Sequence, residues 1–394
     1  MESKALELGL GTQHIVVTTR NLPPLVGGME KLVVQVCRAL SDEFDVSVIG
    51  PKGCKQYLDG IDIEECVVSP IYWFLFSSLI KTWSECRRKR PAIILGGSGL
   101  MAPAVRLAAH RTGAVGMCYL HGLDVVSTNR LYRAFFLPQI RRMDMLLVNS
   151  KSTRALARQY GISENKLRVL HPCVDVDVRV SERSDIDKIR AKHGLQGKTV
   201  LLTVGRLTAR KGISEFIRGS LRRIKAAVAD AVLVVVGEEA NQAVRGPEAQ
   251  KALIVAAAEE TGLAESVRTV GSVDDRTLGE FYQAADLFIF PVIQKPGDIE
   301  GFGIVAVEAA ARGLPTVAFA VGGIPDAVCD HVSGYLIPPG DYQRFAEVVI
   351  RHISENKTAT MRDGCRAFAQ EFSPFRFQQK LIDYCNEAYE SEHK

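Results

Sequence analysis

Short apolar runs of four to six residues recur along this chain, and each breaks off in glycine or polar residues before a helical pattern begins. The first half carries six: His14–Thr19, Asp45–Ile49, Ala92–Leu95, Val115–Leu120, Met145–Val148 and Leu167–Leu170. Thr199–Val204, Ala231–Val236, Val267–Val270, Leu287–Phe290, Pro315–Ala320 and Gly334–Pro338 follow in the second. Runs apolar on both faces suit strands of a parallel sheet, which is covered by helices on each side. Helical spacing lies between them, as in Leu32, Val33, Val36 and Leu40, or Leu278, Phe281, Tyr282 and Ala285. The expected fold is therefore α/β, with doubly wound parallel sheets. From Asp175 to about Lys198 the text turns polar and the alternation stops, so a domain boundary is placed there. With 394 residues two domains are expected: 1–175, and 176–372 with residues 373–394 as a C-terminal helix packing back on the first domain. Ligands of such sheets bind at the carboxyl ends of the strands, so two halves facing across a cleft would form the site.

Net charge is +4, but the part up to Asp175 carries roughly +7, so the basic half is the one suited to an anionic partner. The nine cysteines are scattered, with no C-x-x-C pair and no zinc-like spacing, as expected of a reduced cytosolic chain. Met1-Glu-Ser-Lys lacks the layout of a signal peptide and no apolar run reaches a membrane span, so a cytoplasmic location is expected, either free or peripheral on the inner face of the membrane. Ile71-Tyr-Trp-Phe-Leu-Phe76, with Leu79, Ile80 and Trp83, runs into Arg87-Arg-Lys-Arg90. The segment from Ile71 to Arg90 reads either as an interfacial helix on anionic lipid or as a core helix ending in a solvated basic turn.

The chemistry gathers in the loops. Pro296-Gly-Asp-Ile-Glu300-Gly-Phe-Gly303-Ile-Val-Ala-Val-Glu308 is a loop feeding a helix that stops at Gly313 and Pro315. Glycines just before a helix let a ligand reach free backbone N–H groups, which favour negative charge. Glu300 and Glu308 could accept hydrogen bonds from hydroxyls at the two ends of a ligand with phosphates between, such as a nucleotide sugar; solvated acids beside a partly buried helix are the plainer alternative. Arg206 and Lys211 flank a second strand-to-helix loop, where two cations and exposed amides would neutralise a diphosphate. Gly27-Gly28 forms a glycine turn after the first strand, suited to a phosphate or simply to a tight turn. His121 and Asp124 follow the strand Val115–Leu120 at a sheet edge, in a catalytic or a structural role. Gly96-Gly-Ser98-Gly-Leu100 resembles a nucleophile elbow but lacks its last glycine, which argues against a serine hydrolase.

Taken together, these motifs resemble the retaining glycosyltransferases of family 4, which have the GT-B architecture of two facing Rossmann-like domains. The resemblance rests on Gly27-Gly28-Met-Glu30, His121-Gly-Leu-Asp124, Gly205-Arg-Leu-Thr-Ala-Arg-Lys211-Gly212, the E-x7-E pair Glu300 and Glu308, and Gly322-Gly323-Ile-Pro325-Asp326. It implies that Arg206 and Lys211 bind the donor diphosphate, assisted by Gly27 and Gly28, and that Glu308 holds the ribose. Glu300 and the amides of Phe302, Gly303 and Ile304 would orient the sugar and its leaving phosphate. His121 would line the reaction centre, with Asp124 on the acceptor side; catalytic roles fall to His121, Glu300, Arg206 and Lys211. No metal and no cofactor is implied beyond the co-substrate, a GDP- or UDP-linked sugar. The acceptor implied is lipid-linked or a glycan in cell-envelope synthesis, and nucleic acid is not a partner. His171-Pro-Cys173-Val-Asp175 departs from the family's P-x-G-V-D hinge in its cysteine, and Asp326 stands where glutamate is common.

Other classes share parts of this pattern. A sugar-nucleotide epimerase of the same architecture would convert a donor without acceptor, and a non-catalytic nucleotide-sugar-binding protein would keep the loops without turnover. A dinucleotide dehydrogenase is disfavoured, because no strand is followed by G-x-G-x-x-G with an acid about 20 residues on.

Overall fold

The computed structural model describes residues 13–127, 129–178, 181–239 and 249–393, so the reading of the first residues lies outside them. The chain divides into two compact units, Met1–Cys173 with Pro374–Lys394, and Val174–Ser373.

The first unit holds a parallel sheet of seven strands: β1 (His14–Thr18), β2 (Asp45–Pro51), β3 (Asp62–Cys66), β4 (Ile93–Gly96), β5 (Val115–Leu120), β6 (Met145–Val148) and β7 (Leu167–Val169). Their order is β3-β2-β1-β4-β5-β6-β7. β1 pairs with β2 on one side, Ile15 against Val46, and with β4 on the other, Ile15 against Ile93. The order reverses between β1 and β4, which makes that the topological switch point. β3 is the strand that apolar runs do not reveal. Its sequence Asp-Ile-Glu-Glu-Cys is charged because it lies at the edge of the sheet and is half exposed. The helix Pro374–His393 belongs to this unit, where Phe377, Leu381, Cys385 and Ala388 join the core of Ile15, Val17, Leu32 and Val36. Arg168 forks onto the Glu387 carboxylate and fastens the helix to β7.

The helix Ile71–Lys89 does not bury its aromatic stripe. It buries Phe74, Ser78, Thr82, Glu85 and Cys86 and leaves Ile71, Tyr72, Trp73, Phe76 and Ile80 exposed, so the core-helix reading fails for those side chains. Its basic end is partly spoken for: Arg88 pairs with Glu85 and Asp62, and Lys89 with Asp45.

The second unit repeats the plan with six parallel strands: β8 (Thr199–Val204), β9 (Ala231–Val236), β10 (Val267–Gly271), β11 (Leu287–Phe290), β12 (Thr316–Phe319) and β13 (Gly334–Ile337). The order is β10-β9-β8-β11-β12-β13, which puts the switch point between β8 and β11. The polar stretch after Asp175 contains the helix Arg183–Lys192, and the unit boundary falls just before it, between Cys173 and Val174. Cys173 is buried and its backbone avoids the left-handed region, so a cysteine fits where the family favours glycine.

Candidate functional site

In the second unit both loops that leave the switch point carry charge, and their backbones touch. The loop after β8 turns at Gly205, crosses Arg206 to Lys211, and enters the helix Ile213–Phe216 through Gly212. Gly212 is left-handed at φ 65°, and a Cβ there would stand 2.2 Å from the carbonyl oxygen of Pro291, in the loop after β11. The amide of Ile293 donates to the carbonyl of Arg210 at 2.8 Å, which ties the two loops side by side. Lys211 is thereby buried beside Glu300. Its Nζ donates to Glu300 Oε2 at 2.8 Å and lies 4.8 Å from the centre of the Phe290 ring.

Arg210 completes the cluster: its Nε lies 3.4 Å from the same Glu300 oxygen, while Nη1 reaches Asp298 Oδ1 and Thr208 Oγ1, each at 3.3 Å. Burial alone would raise the Glu300 acid, but Lys211 and Arg210 outweigh it and hold the carboxyl down at about 2. Burial likewise pulls the Lys211 ammonium down, against the support of Glu300. Arg206 is different. It is exposed and makes no ion pair among the described residues.

The stretch after Glu300 is held from below by the second glycine pair. The carbonyl of Glu300 accepts from the Gly323 amide at 2.9 Å, and a Cβ on Gly323 would sit 2.1 Å from the Gly301 oxygen. Gly303 is left-handed at φ 97° against the Phe290 ring and caps the helix Ile304–Ala311. The first turn of that helix leaves amides without intrahelical partners, and Ile304 is its first residue. Phe302 is buried against Phe372. Because the helix starts only at Ile304, Glu308 sits little more than one turn inside it and stays outside the Lys211 cluster. Its Oε2 accepts from the Tyr282 hydroxyl at 3.1 Å.

The first unit presents a second, sparser set at its own switch point. Gly27 caps the helix Gly28–Ser41, and Gly28 has open space where a Cβ would be. His121 follows β5 and is buried. Its Nε2 donates to the Gly97 carbonyl at 2.9 Å. Asp124 does not extend as a free acid. One oxygen accepts the His121 backbone N–H at 2.9 Å and the other the Tyr132 hydroxyl at 3.4 Å, so it fixes the turn that presents the histidine. Gly97 and Gly99 are packing glycines here; a Cβ on Gly97 would meet Thr19 Oγ1 at 2.4 Å. A cavity of about 520 Å³, lined by His14, Asp45, Lys89 and Arg90, lies at the other end of the strands, where β1 and β2 begin.

The structure thus joins Lys211 to Glu300, and keeps Gly28, His121 and Asp124 on the other unit. Arg210 and Asp298 are the members of the cluster that loop reading passed over. Their signal was present, as two further charges in the loops that flank a switch point. Among the described residues, no group of three or more His, Cys, Asp or Glu could hold a metal ion.

Two family models divide the chain between them. Residues 26–178 match Glycosyltransferase Family 4, and residues 185–370 match Glycosyl transferases group 1. Both halves of the chain are thus similar to family 4-type glycosyltransferases. Among its relatives, a D-inositol 3-phosphate glycosyltransferase of Saccharomonospora viridis is 31% identical over 256 residues, 63% of this chain and 57% of the relative. One of the same description from Mycobacterium sp. (strain KMS) is 33% identical over 232 residues, 58% of this chain and 49% of the relative. The chain therefore spans about half the length of these relatives. The fold is GT-B. HepE of Anabaena, solved in complex with UDP, superposes with a TM-score of 0.78 at 21% identity, covering 94% of this chain and 99% of HepE. Sucrose-phosphate synthase from Thermosynechococcus elongatus gives 0.77 at 21%, covering 96% and 100%. The chain shares with them two parallel-sheet Rossmann-like domains.

Proposed function

We propose that this chain is a retaining, metal-independent glycosyltransferase that moves a hexosyl unit from a UDP- or GDP-linked sugar to a hydroxyl of an anionic acceptor. The observation that carries the proposal is the buried Lys211–Glu300 pair beside an exposed Arg206, at the switch point of a GT-B domain. Two cations match the charge of a diphosphate, and the amides at the start of the helix Ile304–Ala311 add donors for it. Glu308, with one oxygen on Tyr282, keeps the other for ribose hydroxyls. Glu300 has no partner on Oε1 among the described residues, which suits it to a sugar hydroxyl. The HepE structures in complex with UDP and with UDP-glucose support a nucleotide-sugar donor.

In the step proposed, the acceptor oxygen bonds to the anomeric carbon on the face from which the nucleoside diphosphate leaves. The bond from that carbon to the phosphate oxygen breaks, and the leaving phosphate takes the acceptor proton. Lys211 and Arg206 stabilise the charge that builds on the diphosphate. On the first unit, His121 is bonded to the Gly97 carbonyl and held in position by Asp124.

For the acceptor, the relatives' description as D-inositol 3-phosphate glycosyltransferases supports a phosphorylated polyol, and the exposed Ile71, Tyr72, Trp73 and Phe76 support a lipid-linked one at an anionic membrane surface. No helix among the described residues is long and apolar enough to cross a membrane; the contact proposed is peripheral, on the cytoplasmic face. A thermal-shift panel of UDP- and GDP-sugars tests the donor. One nucleotide series should raise the transition of the second unit, since a ligand of the native state stabilises it. Conversion of a donor without acceptor would instead favour an epimerase.

A further inference from the structure

Arg210 plays no part in the reaction as written, yet it is the most connected side chain of the loop after β8. Thr208 on its own loop and Asp298 on the neighbouring one hold Nη1, while Nε faces Glu300 Oε2. Asp298 is itself fixed, because it closes a short turn in which its amide donates to the Lys295 carbonyl at 3.1 Å. The planar guanidinium therefore spans two carboxylates of the loop that follows β11.

Lys211 has a conflict that Arg210 can relieve. The same ammonium that neutralises Glu300 is the cation proposed for the donor phosphates, and once phosphate oxygens crowd it, its field at Glu300 is offset. A carboxylate as buried as Glu300, with a side chain 12% exposed, would then face its desolvation cost alone. We propose that Arg210, latched to Asp298, is a positioning residue that keeps Glu300 ionised and aimed at the sugar when the donor phosphates engage Lys211. The inference rests on the reading of Glu300 as the sugar-orienting acid. The charged groups facing Glu300 are Lys211 and Arg210 from the loop after β8, with Asp298 on its own loop behind Arg210 and Arg206 acting on Lys211.

The test compares Arg210→Met, Arg210→Lys and Asp298→Asn in the full chain. The Glu300 carboxyl is depressed in the folded protein, so it stabilises fully above its unfolded value, and that contribution fades as pH falls toward about 2. Loss of Arg210 moves this window upward. In Arg210→Met the acid limb of kcat should therefore shift to higher pH and kcat fall about tenfold to a hundredfold, while affinity for free UDP or GDP stays within about threefold. Arg210→Lys should return the acid limb most of the way, and Asp298→Asn should shift it less than Arg210→Met. An unmoved acid limb overturns the proposal, and so does a loss of UDP or GDP affinity that parallels kcat, which would make Arg210 a phosphate ligand. Thermal unfolding from pH 3 to 7 without donor supplies an arm independent of turnover, with acid destabilisation expected to begin at higher pH in Arg210→Met. If the unmodified protein binds no nucleotide sugar, the functional reading fails while that arm still decides the latch.

Discussion

The two switch points use glycine for different ends. In the second unit, Gly212 and Gly323 lie where a Cβ would come 2.2 and 2.1 Å from a backbone oxygen, so the loops bearing Lys211 and Glu300 touch main chain to main chain. In the first unit, Gly28 opens a helix with nothing within 4 Å of its absent Cβ. The charges follow the same division. Arg210, Lys211, Asp298 and Glu300 are bonded into one cluster, whereas His121 and Asp124 are held by backbone groups and one tyrosine. The second unit thus builds its site as part of folding. In the first, the space around Gly28 does not demand a glycine, and ligand approach to that backbone is a proposal to be tested.

The largest effect expected of this contrast is on stability. Gly323→Ala should destabilise the second unit by about 3 kcal/mol or more, because neither backbone can yield, lowering its melting transition by about 10 °C. A scan that resolves the two units checks this, and an unchanged transition would show that the Gly301 carbonyl can move aside. Next comes Lys211→Ala, which strips charge from the leaving group and should cut kcat/KM about a hundredfold or more. Steady-state kinetics with the preferred donor decides it, and unaltered rates would remove Lys211 from the reaction. The smallest structural effect belongs to Gly28→Ala, expected within about 0.5 kcal/mol in stability yet costing about tenfold in turnover if a ligand approaches that backbone. Equal activity would make Gly28 an ordinary turn residue.

Much of this was legible in the chain itself. The buried strands announced themselves as apolar runs because helices cover both faces of each sheet, and the lone strand without such a run, Asp62–Cys66, is the edge strand that needs none. Glu300 and Lys211 could be picked out by their place in loops after strands. That they meet could not, since the pairing depends on β8 and β11 lying side by side though 82 residues separate their ends in Val204 and the start of β11 is Leu287. Gly322-Gly323 entered only as part of the family resemblance, and its glycines support the backbone of Glu300 and Gly301. The stripe from Ile71 to Ile80 could be placed inside or outside only by knowing which face meets the sheet, and Phe74 and Ser78 take that face.

The central proposal is a nucleoside diphosphate site in the second unit. Calorimetric titration of UDP and of GDP into the full chain and its Lys211→Ala variant tests this most directly. One nucleotide should bind the unmodified protein at a single site, and Lys211→Ala should weaken it by about tenfold or more. Absence of binding by either nucleotide, or equal affinity in the variant, would contradict it.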